Sequence, residues 1–261
     1  MTRHFFLLAL LLAAAPTAEA QLRLGGKTIN TRKVVQAAGD AAKAATLSDA
    51  DIVTMSREAV AWMDEHNPVD TAEYGKRLER LTENIRVEGL ELNFKVYRVT
   101  DINAFACGDG SIRVFSSLMD RMTDEELLAI IGHEIGHVVH HDTRDAMKNA
   151  YLSSALRHAA GAMEGSALAR LSDSELGALT EAFTGASFSQ KQEYAADKYA
   201  FDFCLAHGVD PYAMSNALNR LVELSGGAEA SLVQRMFSSH PDSEKRAARM
   251  KELADEYTSG R

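Results

Sequence analysis

Apolar residues recur at helical spacing through most of the chain. That period, with the capping residues around it, predicts helices over 31–45, 49–65, 70–85, 143–163, 173–183, 187–206, 211–224, 229–237 and 242–257. Ser48 stands where the second helix needs its N-cap, and Pro68 follows its end; Asp210 and Pro211 mark the start of a later one. Between residues 90 and 116 the period shortens to two. Leu92, Phe94 and Val96 alternate with polar neighbours, and Ile112, Val114 and Phe115 follow a turn at Gly108-Asp109-Gly110, so this is where strands are expected. Thr123 with Glu126 three residues on has the capping-box spacing and opens a helix whose stretch 127–139 is strongly apolar. Such a helix is central and buried. The expected fold is mainly α with a small β-sheet, an α+β protein. No linker-like segment divides 31–261, which reads as a single domain.

The first twenty residues have a different character. Arg3 and His4 precede an apolar run over 5–15, and Ala18-Glu19-Ala20 follows, the charged, apolar, small-residue order of a cleavable export signal. The run falls well short of the roughly 20 residues needed to cross a bilayer. Cleavage after Ala20, a flexible leader over 21–30 and a soluble exported product are expected, with no stable membrane insertion. Gln21 stands where a lipid-anchored protein would carry cysteine. A formal net charge of −9 argues against a basic nucleic-acid surface, and 46% hydrophobic with 25% charged residues is an ordinary globular balance. Cys107 and Cys204 are the two cysteines. An oxidising compartment permits one disulfide between them, two separate buried thiols being the alternative.

The chemistry concentrates in Gly132-His133-Glu134-Ile135-Gly136-His137. Two imidazoles four residues apart on a helix lie on one face about one turn apart and can reach one metal ion. Glu134, rotated about 100° from His133, flanks that face and can take the proton of an activated water. Imidazoles inside an otherwise apolar helix are costly to bury without partners, which favours a zinc site over incidental histidines. His140 and His141, near the helix end, read as solvated. A third ligand must come from elsewhere. Glu193 and Asp197 share a helix face, with Ala195, Ala196 and Ala200 small enough for two helices to approach, although a solvated face has the same pattern. Asn103, Ala104, Phe105 and Ala106 precede the glycine turn and can form either an exposed sheet edge that pairs with an extended chain or an ordinary hairpin strand. Cys107 follows that edge and Cys204 lies three helical turns after Glu193, so both are expected to face the catalytic half.

Four segments carry a resemblance to a known family: Asn103-Ala104-Phe105-Ala106, the helix through His137, residues 188–197, and Ser239-His240-Pro241 through Arg246. In type and order they resemble metallopeptidase family forty-eight, the CAAX prenyl protease and HtpX-like zinc peptidases, most of all its periplasmic LoiP and YcaL subgroup. The resemblance implies a zincin-like domain with one zinc ion held by His133, His137 and Glu193. It further implies Glu134 as general base and acid, Asp197 supporting a histidine ligand, and His240 near the metal, either stabilising the developing oxyanion or closing a latent site. The membrane-spanning helices of some members are missing, so membrane-embedded substrates are not expected. The implied activity is periplasmic endopeptidase cleavage of unfolded or misassembled exported proteins, with an envelope assembly partner possible; a metal-containing chaperone or assembly factor is the alternative.

Overall fold

In the computed structural model the described residues are 21–24, 27–30, 47–158 and 173–260. The expected export signal and the helix expected over 31–45 lie outside them. Gln21–Leu24 (β1) and Lys27–Asn30 (β2) pair antiparallel within the segment read as a leader. The chain then runs through α1 (Asp49–His66), β3 (Val69–Asp70), α2 (Glu73–Thr82), β4 (Asn93–Tyr97), β5 (Ala104–Ala106), β6 (Ser111–Phe115) and the short α3 (Ser116–Met119). Seven longer helices follow: α4 (Asp124–Val139), α5 (Asp142–His158), α6 (Asp173–Thr184), α7 (Gln190–Ala206), α8 (Ala213–Ser225), α9 (Ala230–Ser239) and α10 (Ser243–Thr258). The architecture is mainly helical with a small mixed sheet, as the periodicity predicts.

Local chemistry accounts for the ends of these helices. α1, α4 and α7 each open with a complete capping box, Ser48 with Asp51, Thr123 with Glu126 and Ser189 with Gln192. The helix expected over 70–85 starts later because Asp70 is taken into β3 and its side chain accepts hydrogen bonds from the Ala72 and Gly75 amides. Asp210 holds a turn ahead of α8, accepting from the Tyr212 amide, rather than capping the helix itself.

The second sheet has the order β3-β4-β6-β5, with β4 parallel to β6 and the outer pairs antiparallel. Gly110, at φ 90°, and the Asp109 carboxylate accepting from the Ser111 amide make the tight turn that returns β5 onto β6. Alternate residues of these strands enter different cores. Val96, Ala104, Ala106, Ile112 and Val114 pack with α4, α7 and α8, whereas Tyr97, Phe105, Cys107 and Phe115 pack with α1, α5 and α6. Helices therefore cover both faces, and every residue of β6 is buried. On the α1 side, Arg113, almost fully buried, meets Asp64, which also accepts from Lys95 and Tyr97.

The two cysteines correct one expectation. Both thiols are free and buried, Cys204 in the core of α4 and α7 and Cys107 in the core on the other side of the sheet. The period-two alternation that sends Ala106 toward α4 sends Cys107 away from it, so the disulfide that an oxidising compartment would permit is not formed and the alternative of two separate buried thiols holds. Among the described residues, no helix is long and apolar enough to cross a membrane.

Candidate metal centre and catalytic site

α4 and α7 pack at unusually short range because small residues line their contact. A Cβ on Gly136 would lie 3.0 Å from the Ala196 Cα, and one on Gly132 would lie 2.6 Å from the Phe203 ring. Ala196 and Ala200 supply the facing surface, while Ala195 is only partly buried. This approach brings Glu193 and Asp197 of α7 against His133 and His137 of α4. The end of α9 contributes His240, tied in by the Phe188 amide, which donates to the Ser239 carbonyl at 3.0 Å.

The result is a buried set of four donors. His133, His137, Glu193 and His240 each offer one ligand atom, all within 4.8 Å of one another. His137 Nδ1 lies 2.9 Å from Asp142 and His133 Nδ1 lies 3.0 Å from Asp197. Each Nδ1 thus has a carboxylate to accept its N–H, and the two Nε2 atoms, 3.1 Å apart, face each other, the atoms that would bind a metal ion on losing any proton they carry. Two imidazoles and a carboxylate converging in this way, each histidine fixed from behind by a carboxylate, suit a divalent metal such as zinc. The Glu193 carboxylate reaches both rings, its Oε1 lying 3.4 Å from the His137 Nε2 and its Oε2 3.7 Å from the His133 Nε2.

Charged neighbours balance the buried carboxylates. Arg246 of α10 donates to both oxygens of Asp197, at 2.8 and 2.6 Å, and pairs with Glu193. Burial works against ionising Asp197, but the Arg246 and His133 contacts outweigh it and hold its pKa low. Glu193 is likewise lowered, its burial outweighed by His240 and His137. Burial pushes the His133 ring down to about 4, whereas on His137 it is overcome by Asp142 and Glu193, which lift that ring to about 9. Glu134 is raised by burial, with His240 and His137 pulling the other way. A buried carboxylate beside a metal, with its pKa moved toward neutrality, has the properties of a general base.

Glu134 and His240 also line a cavity with Asn103, Ala106 and Phe188. Here β5 is the edge strand of its sheet. The Phe115 amide donates to the Asn103 carbonyl and the Cys107 amide to the Ser111 carbonyl, so odd-numbered residues bond β6 while Ala104 and Ala106 turn their backbone groups outward. Ala106 hydrogen-bonds Glu134 through its backbone. The Asn103 Oδ1 is buried without a partner.

All sequence-derived candidates other than the cysteine pair meet in this region; His140 and His141 are exposed outside it. Sequence reasoning missed four participants. Asp142 orients His137, Gln192 donates to Asp142 at 2.9 Å, Phe188 stacks on His137 with ring centroids 4.0 Å apart, and Arg246 neutralises two carboxylates. Arg246 closed the last of the four resembling segments but had no role, and Asp142, five residues past His137, was the nearest legible signal.

Similarity to known proteins follows the same residues. Residues 68–254 match Peptidase family M48. The chain is 37% identical over 232 residues to Metalloprotease LoiP of Escherichia coli (strain K12), covering 87% of this chain and 90% of that protein. It is 36% identical over 237 residues to Metalloprotease YcaL of the same strain, covering 89% and 90%. A Beta-barrel assembly-enhancing protease of that strain is 31% identical over 165 residues, 60% of this chain and 33% of that protein. With the family match spanning most of the chain and carrying the donor cluster, the chain belongs to peptidase family M48 and is a metallopeptidase.

Proposed function

We propose that the protein is a zinc-dependent endopeptidase of the periplasm that hydrolyses unfolded or misassembled exported proteins. The observation that carries this reading is the convergence of the donor cluster, the Glu134 carboxylate and the outward backbone groups of β5 on one cavity. His133, His137 and Glu193 would hold one zinc ion, whose chemistry is to polarise the scissile carbonyl and make water acidic near neutral pH. Glu134 takes the proton of the attacking water and passes it to the leaving amine. The Ala104 amide and carbonyl and the Ala106 carbonyl pair with substrate backbone, the Ala106 amide being held by Glu134; such pairing is sequence-tolerant and requires an extended chain, so folded proteins are poor substrates. Asp197 and Asp142 keep the histidines in register. The charged, apolar and small-residue order of residues 1–20 supports export, and the relative named for enhancing β-barrel assembly supports a partner in the envelope.

A latent resting state is a second reading, favoured by one observation. His240 Nδ1 is 3.1 Å from Glu193 and its Nε2 is 3.6 Å from Glu134, so the ring occupies space a substrate carbonyl would need. Cleavage of casein by wild type, Glu134→Gln and His240→Ala, with zinc content measured for each, tests both. The endopeptidase reading expects Glu134→Gln to keep zinc and lose turnover. Undiminished cleavage by Glu134→Gln would refute the mechanism. Activity gained in His240→Ala marks latency, and activity lost marks a role for His240 in turnover.

A further inference from the structure

The first turn of α7 and the residue before its cap hold His137 on three sides. Phe188 stacks on one face of the ring, with centroids 4.0 Å apart and planes 17° from parallel. Glu193 Oε1 lies 3.4 Å from Nε2. The third side is reached indirectly. Asp142, which opens α5 directly after His141 at φ 65°, places Oδ2 2.9 Å from the ring Nδ1, and its Oδ1 accepts a hydrogen bond from Gln192 Nε2, also at 2.9 Å. Gln192 is held as firmly at its other end. Its Oε1 accepts from the Ser189 amide at 2.9 Å and from the Ser189 hydroxyl at 2.7 Å, within the capping box of α7. A backbone amide only donates, so the atom facing it is the oxygen and the side-chain nitrogen must point to Asp142.

We propose that Gln192 is a positioning residue for the metal centre: it fixes the Asp142 carboxylate against His137 and makes the metal-holding orientation of that ring conditional on the closed first turn of α7. The proposal rests on His137 being a metal ligand, as in the endopeptidase reading. A carboxylate anchored through one oxygen turns easily about its terminal torsion, whereas one anchored through both must break a bond to do so. Asp142 is buried, so solvent is a poor substitute for the Gln192 donor. A metal-bound histidine gains affinity from the group that holds its other nitrogen, and Gln192 acts one step further out, on the bond between Asp142 and His137. Gln192 and Glu193 are consecutive, so one turn of helix supplies both a ligand and the lock on a second ligand. A residue that served only as a cap would support α7 and leave metal affinity untouched.

The test is a zinc competition titration against a chromophoric chelator, with thermal melts of the metal-free protein. Wild type, Gln192→Met, Ser189→Ala, Asp142→Ala and the double variant of Gln192→Met with Asp142→Ala are compared. Methionine is close to glutamine in length and helix propensity but neither donates to Asp142 nor accepts from Ser189. Ser189→Ala weakens the same cap and spares the contact with Asp142, because the amide of residue 189 still holds the Gln192 oxygen. Both should lower the melting temperature by about 2–4 °C, the shift for one lost cap in a domain of this size. Gln192→Met should also weaken zinc binding by about tenfold, the lower end of the range for groups that support a metal-bound histidine, and Ser189→Ala should leave it unchanged. In the Asp142→Ala background Gln192→Met should have no further effect on affinity, since its effect passes through that carboxylate. Gln192→Ala reads the same quantities if Gln192→Met does not fold. Equal losses of affinity in Gln192→Met and Ser189→Ala, no loss in Gln192→Met, or a loss that persists without Asp142 overturns the proposal. Zinc bound as tightly by His137→Ala as by wild type overturns the metal-site reading itself and the proposal with it.

Discussion

Gly136→Ala isolates the contribution of the close α4–α7 contact. The added methyl carbon would sit 3.0 Å from the Ala196 Cα, 3.1 Å from the Tyr199 Cβ and 3.2 Å from the Ala196 carbonyl oxygen. Carbon atoms are comfortable at about 3.5–4.0 Å, so the two helices must part by about 0.5–1 Å. Two of the obstructing atoms are backbone and cannot rotate away. Alanine gains about 1 kcal/mol over glycine in helix propensity, while overpacking costs about 1–3 kcal/mol, so the net effect is a loss of up to about 2 kcal/mol. At about 2–4 °C per kcal/mol for a domain of this size, the melting temperature should fall by up to about 8 °C. The metal centre should suffer more than the fold. His133 and His137 move with α4 and Glu193 with α7, and metal–ligand distances tolerate only about 0.2 Å of deviation. Thermal melts with and without chelator, together with zinc competition against a chromophoric chelator, measure both effects. Gly177→Ala on α6 is the matched control: its methyl would meet Trp62 at an ordinary 3.4 Å, and it should stabilise by up to about 1 kcal/mol. If Gly136→Ala raised the melting temperature and left zinc affinity intact, the claim that this glycine sets the donor spacing would be refuted.

Other perturbations follow from the same structure. Arg246→Met leaves Glu193 and Asp197 buried without their cation and should cost about 3–5 kcal/mol in the metal-free protein, seen by urea denaturation; an unchanged midpoint would contradict the pairing. Asp142→Ala removes the support of His137 and should weaken zinc binding by about 10–100-fold in a competition titration, with little change in secondary structure. Thr123→Ala should cost about 1 kcal/mol through the lost cap of α4 while leaving zinc stoichiometry at one, measured by denaturation and metal analysis. Asp64 supplies a pH test away from the metal. Burial raises its pKa, but hydrogen bonds from Arg113, Lys95 and Tyr97 outweigh that and lower it below its ordinary 3.8. Its stabilisation is therefore complete above the unfolded-state value and disappears as pH falls through the folded-state value. Asp64→Asn should be less stable than wild type by about 3–5 kcal/mol at pH 7, with the gap narrowing below about pH 4, as pH-dependent urea midpoints would show.

The elements most legible in the sequence were those whose information is local. Thr123 with Glu126 announced α4, and the apolar run behind them announced its burial. His133, Glu134 and His137 share a face through helix geometry alone. Glu193 was ambiguous because a carboxylate pair one turn apart looks the same on a solvated face; only the packing of Ala196 and Ala200 against Gly132 and Gly136 distinguishes the two. Gly132 and Gly136 stood in plain view within the motif, but their function depends on a helix sixty residues away. Asp142, Phe188 and Arg246 were hidden for the same reason: each acts through a partner on another element. The cysteine reading failed on parity, since helical spacing was applied to Cys204 while a strand alternation decided Cys107.

That parity gives the molecule a pair of internal reporters. Both thiols are buried, and burial raises their pKa, that of Cys204 to about 12, so neither should react with an alkylating reagent while its surroundings stay closed. One lies with α1, α5 and α6 and the other with the helices that carry the donors, so the rate at which each is labelled measures how often its own layer opens. Zinc would hold the layer around Cys204 shut and leave the layer around Cys107 much less affected. A protein with no cross-link between its two layers can breathe on one side at a time, and its own two cysteines record which side it is.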